Sequence, residues 1–435
     1  MVHKMKDYKK IIIFILILFI LLLSVINVKI ALLLSAILLV GLFLLIFKDN
    51  GLFLITIFGI LIISSYSFIK IVYITILILT FIYILLTLLK KRSNNLVIQS
   101  KSIVFFIVIT IFLSIQLLFL ERYESTLRHV LAIIFGAMII WLMKKNINTP
   151  DRLNQLYIMW AIIIIGSLII GFWEIVTGDS IRSSVAYPGS HVATVGFYNP
   201  NNFSFYLAIS IPAIYYLLQK SLIFKIISII GIGGIFLTVY LNNTRSILIL
   251  LILSLLMVLV KLFIDGYKKT VTITSVLFVV VLILNVEIIN QLFETLKTLS
   301  QNDFSVSIRK QLTIDGLNIA KNNIILGVGP GNSEYHMPNI GDKVHNYWLE
   351  MLINYGIIIF IILVYYYINT IFKLIKMKKS RLYNVIWPIL WSIIIFIPAS
   401  LAPSTIFTLP ILWFLFGLII SARNIINNYK KGFES

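Results

Sequence analysis

The residues best suited to chemistry lie in one polar passage of the chain, from Ser305 to Gly356, SVSIRKQLTIDGLNIAKNNIILGVGPGNSEYHMPNIGDKVHNYWLEMLINYG. Arg309 stands near its start, the turn Gly327-Val328-Gly329-Pro330-Gly331-Asn332 in its middle, and His345-Asn346 directly before an apolar run. Neutral imidazole accepts a proton near pH 7, which suits deprotonating a hydroxyl as it attacks. Arginine stays protonated and its planar fork binds phosphate oxygens in pairs, so Arg309, Arg245 and Arg182 offer a grip for a diphosphate. Arg245 lies in the short connector Asn242-Asn243-Thr244-Arg245-Ser246 between two apolar runs, where an unpaired charge is costly. Glu350 follows His345 closely enough to orient a base or to bind an acceptor.

Each of these residues also has a plainer reading. An arginine beside an apolar run can extend to the headgroups, a histidine can open a helix at the interface, and a glutamate benefits from the positive end of its helix. The Gly327, Gly329 and Gly331 spacing follows no strand, is interrupted by Pro330 and precedes no Lys-Ser/Thr pair, so it is read as a loop-positioning turn and not as a nucleotide loop. His191 and His336 sit in no pattern. Five histidines without HExxH spacing argue against zinc, and zero cysteines exclude disulfides, iron–sulfur clusters and thiol catalysis, so neither metal nor cofactor is expected.

The elements that must position these groups are membrane helices. Hydrophobic residues make up 60% of 435 and charged residues 12%, which excludes a soluble globular protein. The fold class is therefore all-α, a polytopic integral membrane protein with a large, partly helical outer loop. Apolar runs long enough to cross ~30 Å of hydrocarbon fall at 11–28, 30–47, 51–69, 71–89, 103–120, 127–143, 157–173, 203–218, 226–241, 247–263, 271–289, 347–372, 385–402 and 404–422. That predicts about 14 transmembrane helices, or 12 if closely spaced early pairs merge. The first run follows the basic start MVHKMKDYKK and lacks a small-residue cleavage site, so it reads as an uncleaved helix.

With the Lys-rich N-terminus cytoplasmic, 25 of the 36 basic residues fall inside. Only five of the 16 acidic residues do, so the whole net charge of +20 is an orientation signal and implies no nucleic acid. Both termini are then cytoplasmic, and the long loops 174–202 and 290–346 lie outside together with the Asn242 to Ser246 connector. Within the second loop, Ser307 to Asn322 is expected to form one helix lying on the membrane, with Ile308, Leu312 and Ile319 on one side.

Three passages carry a family resemblance. They are Gly196 to Asn202 (GFYNPNN), which includes Asn201, the connector NNTRS, and Arg309 through GVGPGN to His345-Asn346 with Leu349, Glu350 and Gly356. Together they resemble the O-antigen ligase and polysaccharide polymerase superfamily of bacterial inner-membrane glycosyltransferases over roughly residues 160–420. The first helices carry no signature, so residues 1–156 are taken as N-terminal helices and 157–435 as the ligase/polymerase-like core.

The resemblance implies a metal-independent glycosyltransferase of the bacterial cytoplasmic membrane that takes a glycan from undecaprenyl diphosphate on the outer leaflet. Its partners would be that lipid-linked donor, an acceptor glycan or glycolipid, the bilayer, and other membrane proteins of polysaccharide assembly. Carried over by position, Arg245 and Arg309 hold the diphosphate, with Arg182 the weaker match, and His345 is the base or lies beside it. The expected activity is polysaccharide polymerisation, with ligation to a lipid or protein acceptor as the alternative. A glycolipid transporter is the competing class. It would place charge along a path through the helices, whereas here the polar groups gather on one face.

Overall fold

The computed structural model describes residues 123–180, 191–264 except 198, 304–339 and 343–434 except 381, 402 and 404, with isolated positions at 56, 57, 59–61, 266, 268 and 272. The apolar runs expected at 11–28, 30–47, 71–89, 103–120 and 271–289, most of 51–69, and Arg182 lie outside the described residues. No strand occurs among the described residues.

The described chain is a set of helices with recognisable sequence punctuation. Helix α1 is Tyr123–Asn146 and α2 is Pro150–Thr177; Thr149 caps α2 by accepting from the Arg152 amide, Pro150 fills the first turn, and Gly178 closes it in the left-handed conformation. Helix α3, Pro200–Tyr216, begins the same way, with Asn199 as cap and proline next. Helices α4 (Leu222–Leu241) and α5 (Arg245–Ile264) are joined by the Asn242 connector. Helix α6 is Phe304–Asn322, α7 is Tyr347–Ile375, α8 is Tyr383–Ala399 and α9 is Pro410–Glu434.

Five of these helices, over Thr126–Asn146, Pro150–Thr177, Leu222–Leu241, Tyr347–Ile375 and Pro410–Tyr429, are long and apolar enough to cross a membrane. The protein is a multi-pass membrane protein. Exposed Ile162, Ile169, Ile226, Ile229, Ile361 and Phe372 are the lipid-facing surface that such helices require.

Contacts fix which helix ends lie together. At one end the Tyr157 hydroxyl donates to the Val385 carbonyl at 2.8 Å and the buried Lys261 ammonium donates to Asn384 Oδ1 at 3.0 Å. At the other end the Asn242 side chain pairs with Ala193, and the Tyr347 amide donates to the Ser400 carbonyl at 3.0 Å. The first end carries Lys144, Lys145 and the turn Lys376–Lys379; the second carries the candidate chemistry.

Small residues set the closest helix approaches. A Cβ on Gly136 of α1 would lie 2.0 Å from the Trp413 ring of α9, and one on Gly417 would lie 2.3 Å from Met143 Sδ. Such approaches suit membrane bundles, in which packing and not hydrophobic expulsion holds helices together.

Candidate functional site

The sequence predicts an unbroken helix over 347–372, and the structure corrects this. Gly356 has φ 74° and ψ 177°, so α7 consists of a short segment, Tyr347 to Tyr355, followed by the membrane-spanning run from Ile357. A break inside a helix frees backbone groups that must find other partners. Here the partner is the glycine turn. Val328 and Gly329 donate their amides to the carbonyls of Ile353 and Asn354 at 2.8 and 3.1 Å, while the freed Ile357 amide donates to the Ile324 carbonyl at 2.8 Å.

This arrangement explains why glycine stands on both sides of the contact. A Cβ on Gly356 would lie 2.1 Å from the Ile325 carbonyl oxygen, and one on Gly327, at φ 72°, would lie 2.6 Å from the Ile353 oxygen. Gly329 and Gly331 also have positive φ, at 97° and 73°. Side chains complete the joint: Asn354 Oδ1 accepts from the Ser333 amide at 3.0 Å and Asn332 Nδ2 donates to the Val328 carbonyl at 3.2 Å. The Thr126 hydroxyl reaches Asn332 Oδ1 at 3.4 Å, tying the turn to α1.

Helix α6 forms as expected. It packs on the short segment of α7, burying Leu312 and Ala320, with Gly316 close to Ile353, Leu349 and Val344. Of the three residues expected on one side, Leu312 is buried, Ile319 is partly buried in the same contact and Ile308 is exposed. The small Gly316 lets the helices approach closely and sets which stripe faces inward. Arg309 is half-buried one helix face along from this contact, and no described residue forms an ion pair with it.

His345 is half-buried at the entry to α7, with its Nδ1 atom turned into the protein. Asn346 is the helix cap, its Oδ1 accepting from the Trp348 and Leu349 amides at 3.0 and 3.2 Å. Glu350, one turn later, is buried. Its Oε2 accepts from the Thr405 amide at 3.2 Å, and its Oε1 lies 3.9 Å from Nε2 of His129 on α1. His129 stacks on Phe407, with ring centroids 5.6 Å apart. Sequence reasoning missed His129, although an ionisable side chain within the apolar run 127–143 was itself a signal.

The NNTRS connector meets the residues on either side of GFYNPNN. Glu174 is fully buried and its Oε2 accepts from the Thr194 and Val195 amides at 2.6 and 2.8 Å, which holds Val195 at a positive φ of 46°. Asn242 accepts from the Ala193 amide at 2.7 Å and returns a bond to the Ala193 carbonyl at 3.0 Å. The Thr244 hydroxyl donates to Ser204 Oγ at 3.0 Å. These bonds fix where α5 starts at Arg245, whose side chain lies outside the described residues. Asn201 sits in the first turn of α3, where its amide donates to the capping Asn199 at 2.8 Å.

Phe396 of α8 links the two halves of the site. Its ring centroid is 5.5 Å from that of Tyr347, two residues after His345, and 5.9 Å from that of Phe205, four after Asn201. All three passages therefore stand at the same end of the bundle. Among the described residues, no three His, Asp or Glu side chains gather closely enough to hold a metal ion.

A multi-pass helical membrane protein with polar loops knitted together over one end is the class that fold and site define. Residues 226–364 match the family model described as O-Antigen ligase, a span that contains the connector, α6, the glycine turn and His345 to Gly356. The chain is also 23% identical over 343 residues to the teichuronic acid biosynthesis protein TuaE of Bacillus subtilis (strain 168), covering 73% of this chain and 70% of the relative. The resemblance to the O-antigen ligase and polysaccharide polymerase superfamily rests on both matches, and it is that of a membrane enzyme of polysaccharide assembly.

Proposed function

We propose that this protein is a polysaccharide polymerase that transfers a glycan from undecaprenyl diphosphate to an acceptor sugar hydroxyl on the outer face of the bacterial cytoplasmic membrane. The observation that carries the reading is the gathering of GFYNPNN, NNTRS and the GVGPGN to His345 passage at the helix end opposite Lys376–Lys379. By the positive-inside rule that end is extracytoplasmic, and both termini are cytoplasmic.

The lipid-linked donor enters sideways from the outer leaflet, and the guanidinium forks of Arg245 and Arg309, with Arg182, neutralise its diphosphate. His345 takes the proton of the acceptor hydroxyl as its oxygen bonds to the anomeric carbon. The bond from that carbon to the phosphate oxygen breaks, and the lipid diphosphate leaves with the electron pair. Stabilising this anionic leaving group is the main catalytic contribution, and a single displacement inverts the anomeric centre without a metal. Glu350 orients the His345 segment, while Asn201, Asn346 and the three turn glycines position it. Residues 157–435 are the ligase/polymerase-like core, and other assembly proteins are neighbours in the membrane.

The relative named for teichuronic acid biosynthesis supports assembly of a polymer, while the family description leaves ligation to a lipid or protein acceptor as the second reading. Purified protein in vesicles with undecaprenyl-diphosphate-linked repeat units separates them. Polymerisation gives a ladder of lengthened lipid-linked products. Transfer of one preassembled glycan to a separate acceptor, with no ladder, overturns the polymerase reading in favour of ligation.

A further inference from the structure

The turn that leaves α6 exposes three consecutive apolar residues, Ile324, Ile325 and Leu326, at 42%, 61% and 56%. In a polar extramembrane loop such a patch has no reason to face water. Its location is fixed by backbone bonds, since the Ile324 carbonyl accepts from Ile357 at 2.8 Å and the Ile325 carbonyl lies against Gly356. Gly356 is the start of the membrane-spanning part of α7, whose 19 residues to Ile375 cover ~28 Å, about one hydrocarbon thickness. The turn Lys376–Lys379 marks the opposite boundary.

The spanning part carries an exposed apolar stripe, Ile358, Ile361, Ile362, Tyr365, Ile368 and Phe372, spaced three to four residues apart but for the adjacent pair Ile361 and Ile362. That stripe meets lipid. Ile324 to Leu326 lie at the outer end of this spanning part, joined to it by the Ile357 bond.

We propose that Ile324-Ile325-Leu326 inserts into the boundary between headgroups and acyl chains of the outer leaflet, as an interfacial anchor built onto the end of α7. Insertion of this kind buries apolar side chains to a depth of about 5–10 Å. It sets the depth of everything bonded to the turn, including α6 and the GVGPGN segment, with Lys321 beside it at headgroup level. The inference concerns the depth of this turn and stands whether the enzyme polymerises, ligates or does neither.

The chain has no cysteine, so a single introduced thiol reports one position. Ile325→Cys, carrying a nitroxide, is reconstituted into phosphatidylglycerol and phosphatidylethanolamine vesicles, with Lys310→Cys on the exposed face of α6 as the aqueous reference. The expected result is relaxation dominated by dissolved oxygen at position 325 and by a water-soluble nickel chelate at position 310. Nickel access at 325 equal to that at 310 would overturn the proposal, and so would shielding from both reagents, which would mean that protein covers the turn. Leu326→Cys repeats the measurement if Ile325→Cys does not fold, and must give the same oxygen preference.

Discussion

Val328 gives its amide to the carbonyl of Ile353 at 2.8 Å, across a gap in which helix α7 has no hydrogen bond of its own to offer. A turn 25 residues upstream thus completes the helix break, and the two cannot be altered separately. The residues that make the break possible are the glycines, which leads to the first test.

Gly356→Ala places a methyl group 2.1 Å from the Ile325 carbonyl oxygen at φ 74°. The strain is of the order of 1–3 kcal/mol or more, because the contact is with backbone. Thermal unfolding in detergent should show a clear loss of Tm. Gly233→Ala in α4, where a Cβ meets nothing within 4 Å, should leave Tm unchanged or raise it. Equal behaviour of the two variants would mean that the turn does not depend on the break.

Arg309→Lys should leave Tm near that of the wild type, because the side chain is half-buried and forms no described ion pair. Transfer should nevertheless fall by roughly tenfold or more, since an ammonium cannot reproduce a bidentate fork on phosphate. Full activity in the vesicle assay would remove Arg309 from the diphosphate site.

His345→Ala is expected to bind lipid-linked donor with unchanged affinity and to transfer it about 10²–10⁴-fold more slowly, the usual scale of a lost general base. Donor binding measured on the same preparation separates a chemical defect from misfolding. Normal turnover would assign the base to another residue.

The carboxylate–imidazole pair of Glu350 and His129 joins α7 to α1 at 3.9 Å in a buried setting. Glu350→Gln, His129→Gln and the double substitution form a cycle, and the coupling should be about 0.5–3 kcal/mol if the two side chains act as one unit. Additive losses of stability would show that Thr405 alone holds Glu350.

Much of this arrangement was legible in the residues themselves. Composition gave the membrane class and the apolar runs at 157–173 and 203–218 gave two of its helices, while their starts at Pro150 and Pro200 lie before those runs, behind the caps Thr149 and Asn199. The break at Gly356 was hidden because a hydropathy run continues across it; only the distant turn that replaces the lost bonds reveals it. Glu174 stands near the end of α2 with one oxygen taken up by two backbone amides. Apolar spacing could not disclose that pairing, which depends on a loop folding back 20 residues later. Apolar spacing likewise could not disclose that α6 meets α7 through Leu312, Gly316 and Ala320, because Gly316 has no side chain to signal a contact.

The splice at Gly356 also imposes an order on folding. The ribosome delivers Val328 and Gly329 well before Ile353 and Asn354 exist, so the turn must wait, unpaired, until the next hydrophobic stretch has entered the bilayer. Joining the ends of a loop of this length has a modest entropic cost, and it comes after insertion. The turn and the break can therefore join only once the chain has been made through Asn354.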